Sequence, residues 1–144
     1  MSTGPTPTTN LPVVPESHRD LTRLLTASLA TVMPDDSIQV TAIAFHFDEA
    51  SGMFQISLND VRQKARNLRR NPAATLFLID PENKYRTLEV RAEARLEPDP
   101  DFRFAAFAGT RYGHDFHDLD APGQTRSKVT FVPRRIVATD ITPG

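Results

Sequence analysis

No cysteine occurs anywhere in the 144 residues. That excludes disulfides, a thiolate nucleophile and the Cys-rich structural zinc sites, and it sets the expectation of a cytoplasmic protein. Long apolar runs are missing too. The longest, such as "AIAF" and "TLFLI", fall far short of the roughly 20 residues of a membrane-spanning helix. The opening "MSTGPTPTTNLPVVP" has no basic segment followed by an apolar core, so no secretory signal is expected. Neither sign of charge is in excess: 17 basic and 18 acidic side chains leave a formal net charge of -1. This argues against a general nucleic-acid coat, although it leaves room for a local basic patch. A Walker loop, a G-x-G-x-x-G and a Ser-His-Asp spacing are also absent.

What is there reads as one ordinary globular domain, with 39% hydrophobic and 24% charged residues. Residues 1–15 are rich in proline and threonine and are expected to form a disordered tail, with a single domain over 16–144. "ESHRDLTRLLTAS" predicts a first helix, capped by Ser17, with Asp20 in its third position and Leu21, Leu24 and Leu25 on one face. "LATVM" predicts a short strand closed by the turn "PDDS". "IQVTAIAFHF" predicts one long strand, with "MFQISL" as its hairpin partner. Asn59 is placed to cap a second helix that stops at Asn71 and Pro72. "AATLFLI" suggests a strand buried on both sides.

"YRTLEVRAEARLE" alternates strictly, with Leu88, Val90, Ala92, Ala94 and Leu96 facing one way. Asp99 and Pro100 open a short helix carrying Phe102, Phe104 and Phe107, and "SKVTFVPRRIVATDI" closes the chain as strand. Six or so strands with few helices predict a mainly β protein, an antiparallel barrel with accessory helices.

The second helix, within "SLNDVRQKARNLRRNP", carries five basic residues and no acidic one between Arg62 and Arg70. At about 100° per residue, Val61, Ala65 and Leu68 make one apolar stripe; Arg66 and Arg70 point away from it, while Arg62, Lys64 and Arg69 flank it. Lys64 lies nearest the buried edge, where its stem can cross apolar surface and its ammonium reach a cleft. A solvated helix face and an anion site at a helix start both fit this pattern. No aromatic side chain interleaves with the charges, which speaks against nucleic acid. Elsewhere, His114, Asp115, His117, Asp118 and Asp120 cluster in a loop read as solvated rather than metal-binding. His46 reads as a hydrogen-bonded barrel or groove residue.

The order of short strand, long strand, strand, basic helix ending in "NP" and apolar strand resembles the pyridoxamine 5'-phosphate oxidase-like split-barrel flavoproteins. "RQKARNLRRNPAATLFLIDPENKYRTLEVRAEA" and the later "HDLDAPGQTR" resemble the actinobacterial branch of coenzyme F420-dependent oxidoreductases. The resemblance spans about residues 22–140, with K-x-x-N-L-x-x-x-P as its most specific part.

It implies a FMN-binding-like split β-barrel, homodimeric, holding F420, or alternatively FMN, in a groove between protomers and passing hydride to a small-molecule substrate. A non-catalytic carrier of flavin, deazaflavin or tetrapyrrole is the other class it allows. By the same resemblance Lys64 corresponds to the phosphate-binding lysine, with Arg62 and Gln63 beside it, where relatives often carry arginine at the position of Gln63. Ser57, Leu58 and Asn59 form the preceding strand end. Val40, Thr41 and Ala42 lie on the strand under the tricyclic ring. No catalytic side chain and no metal ligand is implied.

Overall fold

Alternating burial along the chain makes most of it strand. The computed structural model describes residues 10–144, so residues 1–9 of the expected tail lie outside the described residues. Seven strands form one sheet: β1 (Ala27–Val32), β2 (Ile38–Ile43), β3 (His46–Asp48), β4 (Met53–Asn59), β5 (Ala73–Asp80), β6 (Asn83–Pro98) and β7 (Arg126–Asp140). Their order is β2-β1-β5-β6-β7-β4-β3, every pair antiparallel. The sheet curls into the split antiparallel barrel that the strand pattern and the resemblance predict. Its core holds Leu29, Phe45, Leu76, Leu88, Val129 and Phe131, each at most 1% exposed. Val14 joins that core at 4% exposure, so the chain reaches the barrel ahead of residue 16.

The expected long strand 38–47 is two strands at opposite edges of the sheet. Ile43, Phe45 and Phe47 all stay buried, so the alternation runs unbroken through a crossing the sequence pattern does not reveal. At the crossing, the Tyr112 hydroxyl accepts from the Phe45 N–H at 3.0 Å and donates to the Leu25 carbonyl at 2.7 Å. A side chain thus satisfies backbone that has no ladder partner there.

Other local expectations are also corrected. The first helix is a 3₁₀ helix, Glu16–Arg23, with no side-chain cap; Ser17 Oγ instead bonds His18 Nδ1 at 2.8 Å. Leu25 is 57% exposed and so leaves the expected face. The element is tied down by polar contacts, with His18 Nε2 on the Thr139 carbonyl and Arg86 on both Asp20 and Asp80. β5 is buried on one side only: Leu76 and Leu78 face the core, while Phe77 and Ile79 are 37% and 49% exposed.

The basic helix, α1 (Gln63–Arg70), is capped by Arg62 rather than Asn59. Asn59 Oδ1 accepts from the Val61 N–H at 3.0 Å, an Asx turn that steers the chain into the helix. Val61 therefore precedes the helix and is exposed, leaving Ala65 and Leu68 as its buried stripe. Pro72 ends it, as expected. The short helix α2 (Arg103–Gly109) begins four residues after Asp99, whose buried carboxylate accepts from the Phe104 and Ala105 N–H groups. Among the described residues no helix is long and apolar enough to cross a membrane.

Candidate functional site

The barrel's split makes the site. β4 pairs with β7 from Phe54 to Asn59, but with β3 only from Met53 to Gln55. From Ile56 onward β4 is bonded on one side only, which leaves backbone donors and acceptors of a strand edge facing a gap. Across the gap the chain leaves β2 through Ala42, Ile43 and Ala44. The start of α1 closes one end with Arg62 and Lys64. The loop between α2 and β7 closes the other with Phe116, Leu119 and Gln124. The groove so enclosed measures about 400 Å³.

Its two ends differ in charge. At the helix end, Lys64 is half-buried and its Nζ donates to Thr41 Oγ1 at 3.0 Å. No carboxylate of the described residues pairs with it. Burial, and then the neighbouring Arg62 guanidinium, lowers its pKa below the usual lysine value. Arg62 itself is exposed and forms no ion pair among the described residues. At the loop end, Asp120 and Arg126 form a bidentate pair at 2.8 and 2.9 Å, with side chains only 1% and 8% exposed. Arg126 holds the Asp120 carboxyl at about 2, below the ordinary carboxylate range, with His117 and Asn59 adding to the effect. Asn59 Nδ2 donates to Asp120 Oδ1 and to Gln124 Oε1, each at 2.9 Å, and Arg126 Nη1 donates to Ser57 Oγ at 3.1 Å.

The structure brings Ala42, Ser57, Leu58, Asn59, Arg62 and Lys64 to the groove. Thr41 reaches it through Lys64. Val40, 63% exposed on the same face of β2 as Ala42, is not among the residues lining it, and Gln63 turns to Asn67 at 2.8 Å and to Arg66. The side chains of Ser57 and Asn59 are committed to the loop network and frame the groove. The remaining arginines of α1 are also engaged: Arg66 with the Val61 carbonyl and Gln63, Arg69 with Asp60 and Ser127, Arg70 with the Val32 carbonyl and Asn67.

The loop wall is what sequence reasoning missed. Asp120 is a buried ion-pair partner of Arg126 and not a solvated loop acid. The available signal was Arg126 at the first position of β7, where its own strand partner is Asn59. His46 is outside the groove, packed edge-on against Phe107 at 4.9 Å, with burial lowering its pKa. Phe104 is buried in the same cluster and Phe107 is 54% exposed, whereas Phe102 stacks on His117 at 3.5 Å.

Over residues 14–139 the chain matches the pyridoxamine 5'-phosphate oxidase family. A solved F420 reductase is 34% identical, with a TM-score of 0.72, covering 86% of this chain and 98% of that one. The barrel is also shared with a conserved hypothetical protein from Mycobacterium tuberculosis (24% identity, TM-score 0.71, covering 89% of this chain and 86% of that one). The heme storage protein HutZ from Vibrio cholerae has the same fold (20% identity, TM-score 0.64, covering 81% and 87%). The chain belongs to the pyridoxamine 5'-phosphate oxidase family.

Proposed function

We propose that this member of the pyridoxamine 5'-phosphate oxidase family is a cytoplasmic oxidoreductase that binds coenzyme F420 at the barrel split and passes hydride to a small organic acceptor. The observation that carries the reading is Lys64: a half-buried ammonium at the groove's end with a hydroxyl but no carboxylate for company. A desolvated cation beside a second cation is unfavourable until an anion arrives, and a phosphate group supplies one. Lys64 and Arg62 would hold that phosphate. The free edge of β4 from Ile56 to Leu58 offers backbone groups to the polar rim of a ring system, and Ala42 and Ala44 leave room for it. The groove's volume lies within the range of small-molecule sites. When bound, a deazaflavin supplies two-electron hydride chemistry, and the protein contributes binding, orientation and exclusion of water.

F420 is preferred over FMN because of the 34% identical F420 reductase. The arginines of α1 add nothing to that choice, since Arg66, Arg69 and Arg70 are each bonded within the chain. A homodimer is part of the proposal. Ile38 and Val40 of β2 and Phe77 and Ile79 of β5 leave an apolar outer face 37–63% exposed, beside the strand that borders the groove. A second copy would cover it. Light scattering at micromolar concentration should give twice the chain mass; a monomer would remove the shared site.

A non-catalytic carrier is the second reading. One observation favours it: among the described residues the one carboxylate lining the groove, Asp120, is locked to Arg126, so no acid or base of these residues stands free beside Lys64. The test is direct. Purified protein is titrated with F420 and with FMN, and turnover of the bound cofactor with a panel of acceptors is followed by absorbance. Tight F420 binding with turnover supports the first reading, and tight binding without turnover the second. No binding of either cofactor sinks both.

A further inference from the structure

We propose that Leu119 determines acceptor specificity, selecting molecules that present an uncharged, apolar face and turning away anionic ones. This deepens the reading that a cofactor lies in the groove and rests on it. Leu119 lines the groove yet is 70% exposed, an unfavourable place for a leucine that no other described residue of the chain covers. Its position is fixed from both sides. The turn Phe116–Leu119 starts where the Asp115 carboxylate accepts from the His117 N–H at 2.8 Å. It ends at Asp120, clamped by Arg126 and Asn59. The leucine is thus held out toward the groove by a buried polar frame.

That frame also uses up the polar groups of the wall. Asn59 spends both amide hydrogens on Asp120 and Gln124, and Arg126 gives its fork to Asp120 and its remaining reach to Ser57. With Lys64 and Arg62 neutralised by a cofactor phosphate, no cation is left for a charged acceptor. What the wall offers is the apolar surface of Leu119 and Phe116. Nothing in a hydrophobic wall compensates a carboxylate or sulfonate for the water it would lose.

The experiment uses the full chain and begins by titrating the native protein with F420 and FMN. The form that binds is kept oxidised and titrated calorimetrically with two planar quinones, neutral menadione and anionic 1,2-naphthoquinone-4-sulfonate. Native protein should prefer menadione by about tenfold or more. Leu119→Ala should weaken menadione by about threefold, and Leu119→Arg should reverse the preference. Cofactor affinity is measured for each variant first, and the quinone titrations are run on fully loaded protein. An unchanged preference in Leu119→Arg overturns the inference. So does a tenfold loss of cofactor affinity, which would make Leu119 a cofactor contact. If the native protein binds neither cofactor, the groove reading itself has failed, and the first titration reveals that before any variant is made.

Discussion

The two ends of one groove treat a half-buried or buried cation in opposite ways. At the loop end Arg126 has a carboxylate partner in bidentate geometry, itself held by Asn59, and a serine beside it. At the helix end Lys64 has a threonine hydroxyl and, acting on its ammonium, another cation. Both residues line the same cavity. On the proposed function, the difference separates a frame from a receptor: Arg126 is spent within the fold, whereas a cation left unsatisfied is available to a ligand.

The largest effect should come from breaking the satisfied end. Arg126→Ala leaves Asp120, with a side chain 1% exposed, without its guanidinium partner and held only by Asn59 and His117. The expected loss is about 3–5 kcal/mol of folding stability, measured by urea unfolding. The pH dependence has a definite sign. Arg126 holds Asp120 at about 2 in the folded state, against an ordinary value of 3.8. The pair's contribution is therefore complete above about 3.8 and is lost as pH falls through the window down to about 2. In Arg126→Ala that acid-side loss should be smaller, because only His117 and Asn59 remain to lower the carboxyl. A variant as stable as the native protein would mean that the loop wall is not built on this pair, and the contrast between the two ends would collapse.

Next in size is Lys64→Ala. Binding of F420 or FMN should weaken by about 1.5–3 kcal/mol, the range for a charge-assisted hydrogen bond, while the unliganded protein unfolds almost as before. The lysine's pKa is lowered by burial and then by Arg62, so the unfolded chain holds its proton to higher pH than the folded one. Stability of the unliganded protein should therefore rise as pH climbs through the lowered value toward 10.5, and cofactor affinity should fall over the same window. Lys64→Met should abolish both slopes. If the slopes persist in Lys64→Met, the anion is held elsewhere.

These two residues also mark how far the chain could be read in advance. Lys64 was accessible because a helix and the strand before it are local features: the angular position of a residue, the turn at Asn59 and the stop at Pro72 lie within one short segment. The long alternation of β6 was accessible for the same reason, and Leu88, Val90, Ala92 and Ala94 are all buried. The loop wall was not, because its order comes from pairs such as Asn59 with Asp120, 61 residues apart, and no periodicity announces such a partner. The division of 38–48 into β2 and β3 was hidden by a different cause. Burial of Ile43, Phe45 and Phe47 keeps the period of a strand while the backbone crosses the open side of the barrel. Thus the basic helix and its place beside the groove were visible to pattern, and the frame that shapes the rest of the groove needed three dimensions.

The smallest effect tests whether charge alone is enough. Arg70 sits on the same helix as Lys64, is exposed, and carries a full positive charge six residues further on. Its guanidinium already donates to the Val32 carbonyl and to Asn67 Oδ1, and it does not line the groove. If α1 attracts anions as a diffuse basic face, Arg70→Ala should weaken FMN binding about as much as Lys64→Ala does. If the site is local, the loss should stay within about 0.5 kcal/mol, the size of an ordinary surface substitution. Titrations at low and high salt sharpen the distinction. A diffuse face loses its attraction as screening shortens to a few ångströms, whereas a half-buried contact at Lys64 is screened much less. Equal losses from the two variants, both erased by salt, would return the basic helix to the role of a solvated surface.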